Sequence, residues 1–291
     1  MAAPARPRVF GSTATDAAGV LVISRTRDRA ALRTFLERDR LFAGYALCAL
    51  DDRVFGQSDW GIATRDGETV AVAVEQGGPS PQPVFVAGEP GPVEALLRRV
   101  IRPWSTYITC LPDLLPAVES LYAVEPGPPM VRMAVDRESF RPYRELVVRL
   151  GPSHIAELNR MYGLGFTSWL PAESLTHGVY YGLRVNGRLV SAAGTHAVSR
   201  GERMGIVGNV MTVRAHQGRG HAKATTSAVT AELLHELDDV ILNVRSDNPP
   251  ALAAYRALGY REHVRFEERL AHRRSGGWSL FVGALKRLTG W

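Results

Sequence analysis

The chain has 291 residues, of which 45% are hydrophobic and 22% charged, a balance typical of a globular protein. This length favours two domains. No apolar run approaches the roughly 18–20 residues of a membrane span, and the first residues lack the apolar core of a signal peptide. Two cysteines, Cys48 and Cys110, form neither a metal-binding spacing nor a disulfide framework. We therefore expect a cytoplasmic protein without a metal site.

The formal net charge of +6 comes mainly from arginine, because Lys223 and Lys286 are the only lysines. A basic excess can serve nucleic acid, but no basic run with interleaved aromatic residues is present. The same excess would favour an acidic small molecule. We therefore predict no nucleic-acid partner.

The first 142 residues alternate between helical and strand-like patterns. Helical patterns cover residues 29–37, 94–101 and 112–122. Strand-like patterns cover residues 45–50, 60–64, 69–75, 83–88, 106–109 and 130–135.

A similar order of elements returns in residues 143–274. Strands are predicted at 146–150, 179–185, 189–199, 206–213, 240–244 and 260–270, and helices at 153–162, 219–237 and 248–258. Asn186-Gly187 predicts a type I′ hairpin turn. The repetition predicts two tandem domains, 1–142 and 143–274. An amphipathic tail follows at 275–291, for which we expect packing on its own chain or on a second copy; the alternative is a membrane-surface helix.

A glycine-rich turn, Gln217-Gly-Arg-Gly-His-Ala-Lys223, joins an apolar strand to a long helix. The first backbone N–H groups of a helix lack partners within the helix, and the macrodipole adds about half a positive charge there. Glycines at 218 and 220 let the backbone bend and let a ligand approach. The pattern predicts a pyrophosphate site, although a tight turn without a ligand would use the same residues.

A second motif, Asn248 to Tyr260, follows a short apolar strand about 30 residues later. Asn248 can cap a helix whose first turn contains prolines, and Gly259 can end it. Asn248, Ala251 and Tyr255 fall on one face. The small Ala251 leaves room for a ligand beside this face, whereas the alternative makes Tyr255 a half-buried core residue.

Together the two motifs resemble the GNAT superfamily of N-acetyltransferases. Residues 217–222 fit its signature Arg/Gln-x-x-Gly-x-Gly/Ala, and residues 248–260 fit Asn-x-x-Ala-x-x-x-Tyr-x-x-x-Gly-Phe/Tyr. The chain departs at Arg214, where one branch often has proline. The resemblance covers residues 143–272 well and the first half weakly. It implies an α/β (α+β) fold of two tandem GNAT-like domains, each a mixed, mostly antiparallel twisted sheet flanked by helices.

The resemblance further implies acetyl-CoA as cosubstrate, with no metal. The residues that it implies in cofactor binding are Met211, Thr212, Val213, Gln217, Gly218, Arg219, Gly220, His221, Ala222, Lys223 and Asn248. Tyr255 takes the position of the proton donor to the leaving sulfur, and the backbone beside Thr212 offers N–H groups to the thioester oxygen. The matching turn of the first half holds Glu89, Pro90 and Pro92, which oppose a pyrophosphate, so domain 1–142 is expected to bind no CoA.

The expected acceptor is the primary amine of a small molecule or amino acid, which attacks the thioester directly. Residues 163–174 are expected to contact it. The general base stays open among Glu173, His177, His196 and Glu202. The alternative function is a non-catalytic acyl-CoA-binding module, against which the presence of Tyr255 argues. A homodimer is one interpretation of the tail.

Overall fold

The computed structural model describes residues 12–16, 19–78, 81–163 and 170–274. Its strands are β1 (Ser12–Asp16), β2 (Gly19–Arg25), β3 (Asp59–Arg65), β4 (Glu68–Glu75), β5 (Gln82–Gly88), β6 (Ser105–Cys110), β7 (Tyr122–Val124), β8 (Met130–Val135), β9 (Val148–Arg149), β10 (Tyr181–Val185), β11 (Arg188–Ser199), β12 (Met204–Thr212), β13 (Asp239–Arg245) and β14 (Arg261–Arg273). Its α-helices are α1 (Arg29–Leu36), α2 (Gly44–Cys48), α3 (Asp52–Phe55), α4 (Pro90–Arg99), α5 (Leu115–Glu119), α6 (Ile155–Tyr162), α7 (Ala172–His177), α8 (His221–Glu236) and α9 (Pro249–Ala257).

The described residues form two compact units that do not follow the predicted linear boundary at residue 142. Unit 1 comprises the described parts of 1–38, 52–127 and 266–291, and unit 2 comprises those of 39–51 and 128–265. An N-terminal segment, 39–51, thus belongs with the second half of the chain. Strand β8 pairs with β13 in unit 2, whereas β14 pairs with β6 in unit 1.

Unit 1 is built on a sheet in the order β1-β2-β3-β4-β5-β6-β14, with β7 also paired to β14. Neighbouring strands are antiparallel except for β5 and β6. Helix α4 packs on β2–β5 through a face that buries Val93, Leu96 and Leu97. These apolar residues recur at helical spacing and so form one face, which covers one side of the sheet and builds a core there.

Unit 2 repeats this plan with the order β9-β10-β11-β12-β13-β8. The parallel pair is β12 with β13. Residues 240–242 of β13 are buried without alternation, as expected for a central strand covered on both faces. Helix α8 packs on β10, β11 and β12. The predicted class, a mixed and mostly antiparallel sheet flanked by helices in each half, is confirmed.

The prediction of a strand at residues 45–50 is wrong, because Gly44–Cys48 forms helix α2. A short apolar run fits a buried strand and a buried helix equally well, and periodicity does not separate them. Gly44 packs so tightly that an added Cβ would lie 2.4 Å from Ile241 Cδ1 and 2.7 Å from the Met204 sulfur. The pattern over 45–50 therefore reflected burial in unit 2 and not strand pairing.

Several other boundaries differ from the predicted ones. The predicted helix 112–122 is a 3₁₀ turn, Pro112–Leu114, followed by the short α5, and Tyr122 already begins β7. The predicted strand 146–150 is ordered as a strand only in the two residues of β9. Strand β2 was not predicted. The hairpin at Asn186-Gly187 is confirmed, with φ values of 50° and 78°, both positive as a type I′ turn requires.

Among the described residues, no helix is long and apolar enough to cross a membrane. The tail 275–291 lies outside them, and so do residues 164–169 of the predicted acceptor region.

Candidate functional site

Strands β12 and β13 part in the middle of unit 2. Their parallel pairing runs from Met204 opposite Asp239 to Val207 opposite Leu242 and ends there. Strand β12 continues to Thr212 against β11, while β13 continues to Arg245 against β8. The edge of residues 208–212 that faces away from β11 is therefore outside the ladder, and its backbone polar groups are left for a ligand.

A β-bulge lies where the strands part. Gly194 pairs with Gly208 and Ala192 with Met211, so Asn209 and Val210 together oppose one residue of β11. Asn209 has a φ of 51°, a left-handed conformation that asparagine tolerates better than most residues. The Tyr162 hydroxyl donates to its carbonyl oxygen at 2.5 Å, and its Nδ2 donates to the Tyr180 hydroxyl at 2.9 Å. A bulge fixed in this way re-aims the backbone amides of β12.

The glycine-rich turn follows β12 directly. Gln217 Nε2 donates to the Thr212 carbonyl at 3.1 Å and ties the turn to the strand end. Gly218 and Gly220 have φ values of 76° and 84°, which side-chain-bearing residues rarely adopt. Helix α8 begins at His221, and its N-cap, Gly220, offers no side-chain cap. The first-turn N–H groups are therefore open to an anion.

The turn, the end of β12 and helix α9 enclose a cleft of about 580 Å³. Most of the residues predicted to bind the cofactor line it: Met211, Thr212, Gln217, Gly218, Gly220, His221, Ala222, Lys223 and Asn248, together with Tyr255. Val213 and Arg219 are not among the lining residues. Seven lining residues were not predicted as binding residues: Val210, His216, Pro250, Ala251, Ala253, Ala254 and Ala257. The run of alanines in α9 was the available signal, since a wall of small side chains leaves room for a ligand.

Helix α9 sets Tyr255 into this cleft. Asn248 Oδ1 accepts from the Ala251 N–H at 3.3 Å and caps the helix, whose first turn holds Pro249 and Pro250. Tyr255 is 7% exposed, and its ring centroid lies 6.0 Å from that of Tyr260. Burial raises the pKa of the Tyr255 phenol to about 12, so it is protonated and able to donate at neutral pH.

The cleft carries cationic and imidazole groups beside the helix start. Lys223 Nζ lies 3.8 Å from the centroid of the Tyr143 ring, a cation–π contact. His221 Nδ1 approaches Glu145 Oε1 to 3.3 Å without hydrogen-bond geometry. Within the described residues, the buried Nδ1 atoms of His216 and His221 have no hydrogen-bond partner. Buried polar atoms of this kind are normally satisfied, so they favour a ligand in the cleft.

The four candidate bases fall in different places. Glu173 and His177 lie on helix α7, where both side chains are exposed. Glu202 is buried beyond the end of β11, and its backbone carbonyl accepts from Arg40 Nη2 at 2.7 Å. His196 lies on β11 beside the bulge, close to the Asn209 side chain. Among the described residues, no group of three or more His, Cys, Asp or Glu side chains is arranged to hold a metal.

Comparison with known protein families and sequences finds matches to this chain. A family model described as FR47-like protein matches residues 180–270. The N-alpha-acetyltransferase RimI of Mycobacterium tuberculosis is 32% identical over 126 residues, which cover 39% of this chain and 75% of that protein.

Solved structures share the fold at lower identity. A GNAT-family acetyltransferase from Novosphingobium aromaticivorans has 21% identity and a TM-score of 0.53, covering 70% of this chain and 89% of that one. A tandem GNAT protein from the clavulanic acid biosynthesis pathway has 13% identity and a TM-score of 0.57, covering 88% and 99%.

Proposed function

The chain belongs to the GNAT superfamily of N-acetyltransferases, and from that premise we propose that unit 2 transfers an acetyl group from acetyl-CoA to a primary amine. The proposed acceptor is a small molecule or an amino acid. The observation that carries the proposal is the cleft formed by the parted strands, the uncapped start of α8 and the alanine-lined face of α9.

The pyrophosphate of acetyl-CoA is assigned to the glycine-rich turn. First-turn N–H groups of α8 supply directed donors, and the helix dipole favours negative charge at this end. An added Cβ at Gly218 would meet nothing within 4 Å, so space is open beside the turn. Lys223 lines the same cleft and adds a full positive charge. The Nδ1 atoms of His216 and His221, which make no hydrogen bond among the described residues, would gain acceptors from phosphate oxygens.

The thioester is assigned to the gap between β12 and β13. As the amine attacks, the carbonyl oxygen becomes an oxyanion, and the free edge of residues 208–212 offers backbone N–H donors to it. Such donors are fixed before the reaction, because the bulge at Asn209 is held by the Tyr162 and Tyr180 hydroxyls. Holding amine and thioester in line supplies a further large share of the rate enhancement.

Tyr255 is proposed to donate a proton to the leaving sulfur. Its pKa of about 12 exceeds the roughly 8.5 of an exposed thiol, so complete transfer of the Tyr255 proton to the thiolate would be unfavourable in water-like surroundings. The thiolate leaves into the same desolvated cleft, however, and desolvation raises the pKa of the thiol as well. The two pKa values thereby approach each other, which favours proton transfer concerted with C–S cleavage.

A second acceptor class is the α-amino group of a polypeptide. The M. tuberculosis relative, 32% identical over 126 residues, carries the name of an N-alpha-acetyltransferase. Both classes present a primary amine, so they make the same demand on the cleft and differ in what surrounds the nitrogen.

Unit 1 is proposed to lack a CoA site. At the start of α4, Glu89 stands where unit 2 has its glycine-rich turn, and its carboxylate lies 2.6 Å from Arg65 Nη1. Pro90 and Pro92 remove N–H groups from the first turn. The N-cap residue of this helix, Glu89, carries a negative charge, so a pyrophosphate would meet repulsion as well as too few donors.

The direct test is release of free thiol from acetyl-CoA in the presence of amines. The panel would contain amino acids, diamines, a peptide with a free N-terminus and the same peptide with that terminus blocked. We expect thiol release that depends on the amine and yields the acetylated product by mass spectrometry. Binding of acetyl-CoA without turnover on any amine would contradict the proposal.

A further inference from the structure

Segment 39–51 brings a tyrosine to β11 of unit 2, beside the point where β12 and β13 part. Helix α2 packs on β11 and β12, and the Tyr45 hydroxyl lies 2.7 Å from His196 Nδ1, hydrogen-bonding distance. The two ring centroids are 6.1 Å apart. Tyr45 is 151 residues from His196 in the chain, so the contact depends on the segment joining unit 2.

A buried arginine holds this segment in place. Arg132, on β8 and 1% exposed, donates through Nε to Asn243 Oδ1 at 2.9 Å and through Nη1 to the carbonyls of Leu41 (3.3 Å) and Phe42. Its guanidinium carbon lies 5.2 Å from the Tyr45 ring centroid. Arg40 pairs with Asp239 at 2.6 Å at the start of the segment. The segment is therefore held through backbone carbonyls that precede Tyr45, and the Arg132 guanidinium lies against the Tyr45 ring.

His196 is held equally well at the point where the strands part. The register of β11 shifts between Thr195 and Ala197, which leaves His196 in an irregularity of its own. Its ring covers Gly208, where an added Cβ would lie 2.3 Å from Nε2. Gly208 is the first residue of β12 beyond the last pair with β13. The Nε2 edge thus lies over Gly208, at the point where β12 and β13 part, while Nδ1 faces Tyr45.

We propose that His196 is the base that takes the proton of the attacking amine, and that Tyr45 is the residue that positions it. This inference rests on the proposed function. With Nδ1–H donating to the Tyr45 oxygen, the lone pair of the neutral imidazole is left on Nε2. The amine nitrogen forms its bond to the thioester carbon and loses a proton to Nε2. The C–S bond breaks, and the sulfur takes the proton of Tyr255.

The surroundings suit this role. His196 is exposed to solvent, so an amine can reach it. Surrounding protein lowers the pKa of the imidazole by desolvation, and the neighbouring Asn209 side chain partly opposes this shift. The exposure means that the desolvation is partial. Ionisable groups near the pair in the described part of the chain include Tyr162 and Tyr180, whose phenol pKa values are raised by burial, and Arg132 behind Tyr45. The two phenols stay neutral near neutral pH, so His196 is the group that titrates there.

The test compares His196→Gln and Tyr45→Phe with two matched controls, His235→Gln on the exposed end of α8 and Tyr107→Phe on β6. Acetyl-CoA is used with an alanine-initiated tetrapeptide and with 1,4-diaminobutane, from pH 5.5 to 9. His196→Gln should lower kcat by roughly 10²–10⁴-fold and remove the acidic limb of the kcat profile. Tyr45→Phe should lower kcat by about tenfold and move the limb to lower pH, because the imidazolium loses an acceptor. The KM for acetyl-CoA should change less than twofold in both variants. In the two control variants, neither kcat nor KM should change by more than twofold.

A kcat within threefold of the parent in His196→Gln, or an unchanged acidic limb, would overturn the assignment. If the parent acetylates neither amine, the proposed function fails, and carbon-13 NMR of labelled histidines then decides the Tyr45–His196 contact separately. We expect His196 to titrate below 6.5 and lower still in Tyr45→Phe. An identical titration near 6.5 in both proteins would refute the contact.

Discussion

At the scale of single residues, Tyr255 offers the clearest separation of chemistry from packing. Tyr255→Phe keeps the buried ring and removes only the hydroxyl. We expect turnover to fall by roughly 10²–10⁴-fold, the cost of a lost proton donor. The affinity for CoA should hold, because the pyrophosphate donors are untouched. Steady-state kinetics, calorimetry with CoA and thermal melting together measure these effects.

Tyr260→Phe is the matched control for that change. Its ring lies 6.0 Å from that of Tyr255, but its hydroxyl is 2.7 Å from the buried Thr230 Oγ1. Losing that buried hydrogen bond should cost about 1 kcal/mol of unfolding free energy and leave turnover nearly unchanged. The reverse pattern, with Tyr255→Phe affecting only stability, would reduce Tyr255 to a packing residue.

Gly218 tests the assignment of the pyrophosphate. Gly218→Asp and Gly187→Asp place the same side chain at φ values of 76° and 78°, and neither added Cβ meets an atom within 4 Å. Backbone strain should therefore be similar in the two variants, and only Gly218→Asp puts a carboxylate in the cleft. We expect calorimetry to show at least tenfold weaker CoA binding for Gly218→Asp alone. Equal affinities in the two variants would contradict this location.

The sequence predicted much of the cleft but not the contact between Tyr45 and His196. Gln217–Lys223 and Asn248–Tyr255 are local motifs, and in each the spacing itself carries the geometry. Tyr45 carries no such local signal, because its role depends on a contact with His196, which is 151 residues away in the chain. His196 could be named as a candidate but not preferred, since a histidine on a strand has many structural uses.

At the scale of elements, the sequence predicted the existence of most strands and helices but not which sheet some of them join. The pattern of β8, Met-Val-Arg-Met-Ala-Val, is that of a buried strand, and it would suit β6 as well as β13. Pairing partners are chosen by tertiary packing, which alternation does not encode. Helix α2 was missed for a related reason, because its burial against β11 and β12 determines its form.

The starts of α4 and α8 lead to a stoichiometry prediction. The two helices occupy equivalent positions after the middle strands of their sheets, yet α4 begins with Glu89, Pro90 and Pro92 and α8 with two glycines. We expect titration calorimetry to give one CoA per chain. In Gly218→Asp all of the measured CoA binding should become weaker, because the chain has one site. A second site, or one unaffected by this substitution, would show that unit 1 binds CoA.

At the scale of the whole molecule, the two cysteines predict the response to alkaline pH. Both are buried, and burial raises the pKa of each thiol from 9.0 to about 12, with neighbouring carboxylates adding to the effect. The unfolded chain therefore loses these protons near pH 9, whereas the folded chain keeps them to about pH 12. Between these values the folded state binds more protons, so the unfolding free energy falls as pH rises. Below pH 9 this contribution to stability is fully present.

The expected loss is on the order of 4 kcal/mol per thiol by pH 12, from about 1.4 kcal/mol for each pKa unit. Urea unfolding between pH 8 and 11 measures the slope. Cys48→Ala and Cys110→Ala should each be less stable than the parent at pH 8, because a buried side chain is truncated. Each should nevertheless lose stability less steeply with pH, since one thiol no longer titrates. The slope separates titration from packing, and slopes equal to that of the parent would mean that other groups, such as the buried tyrosines, cause the alkaline loss.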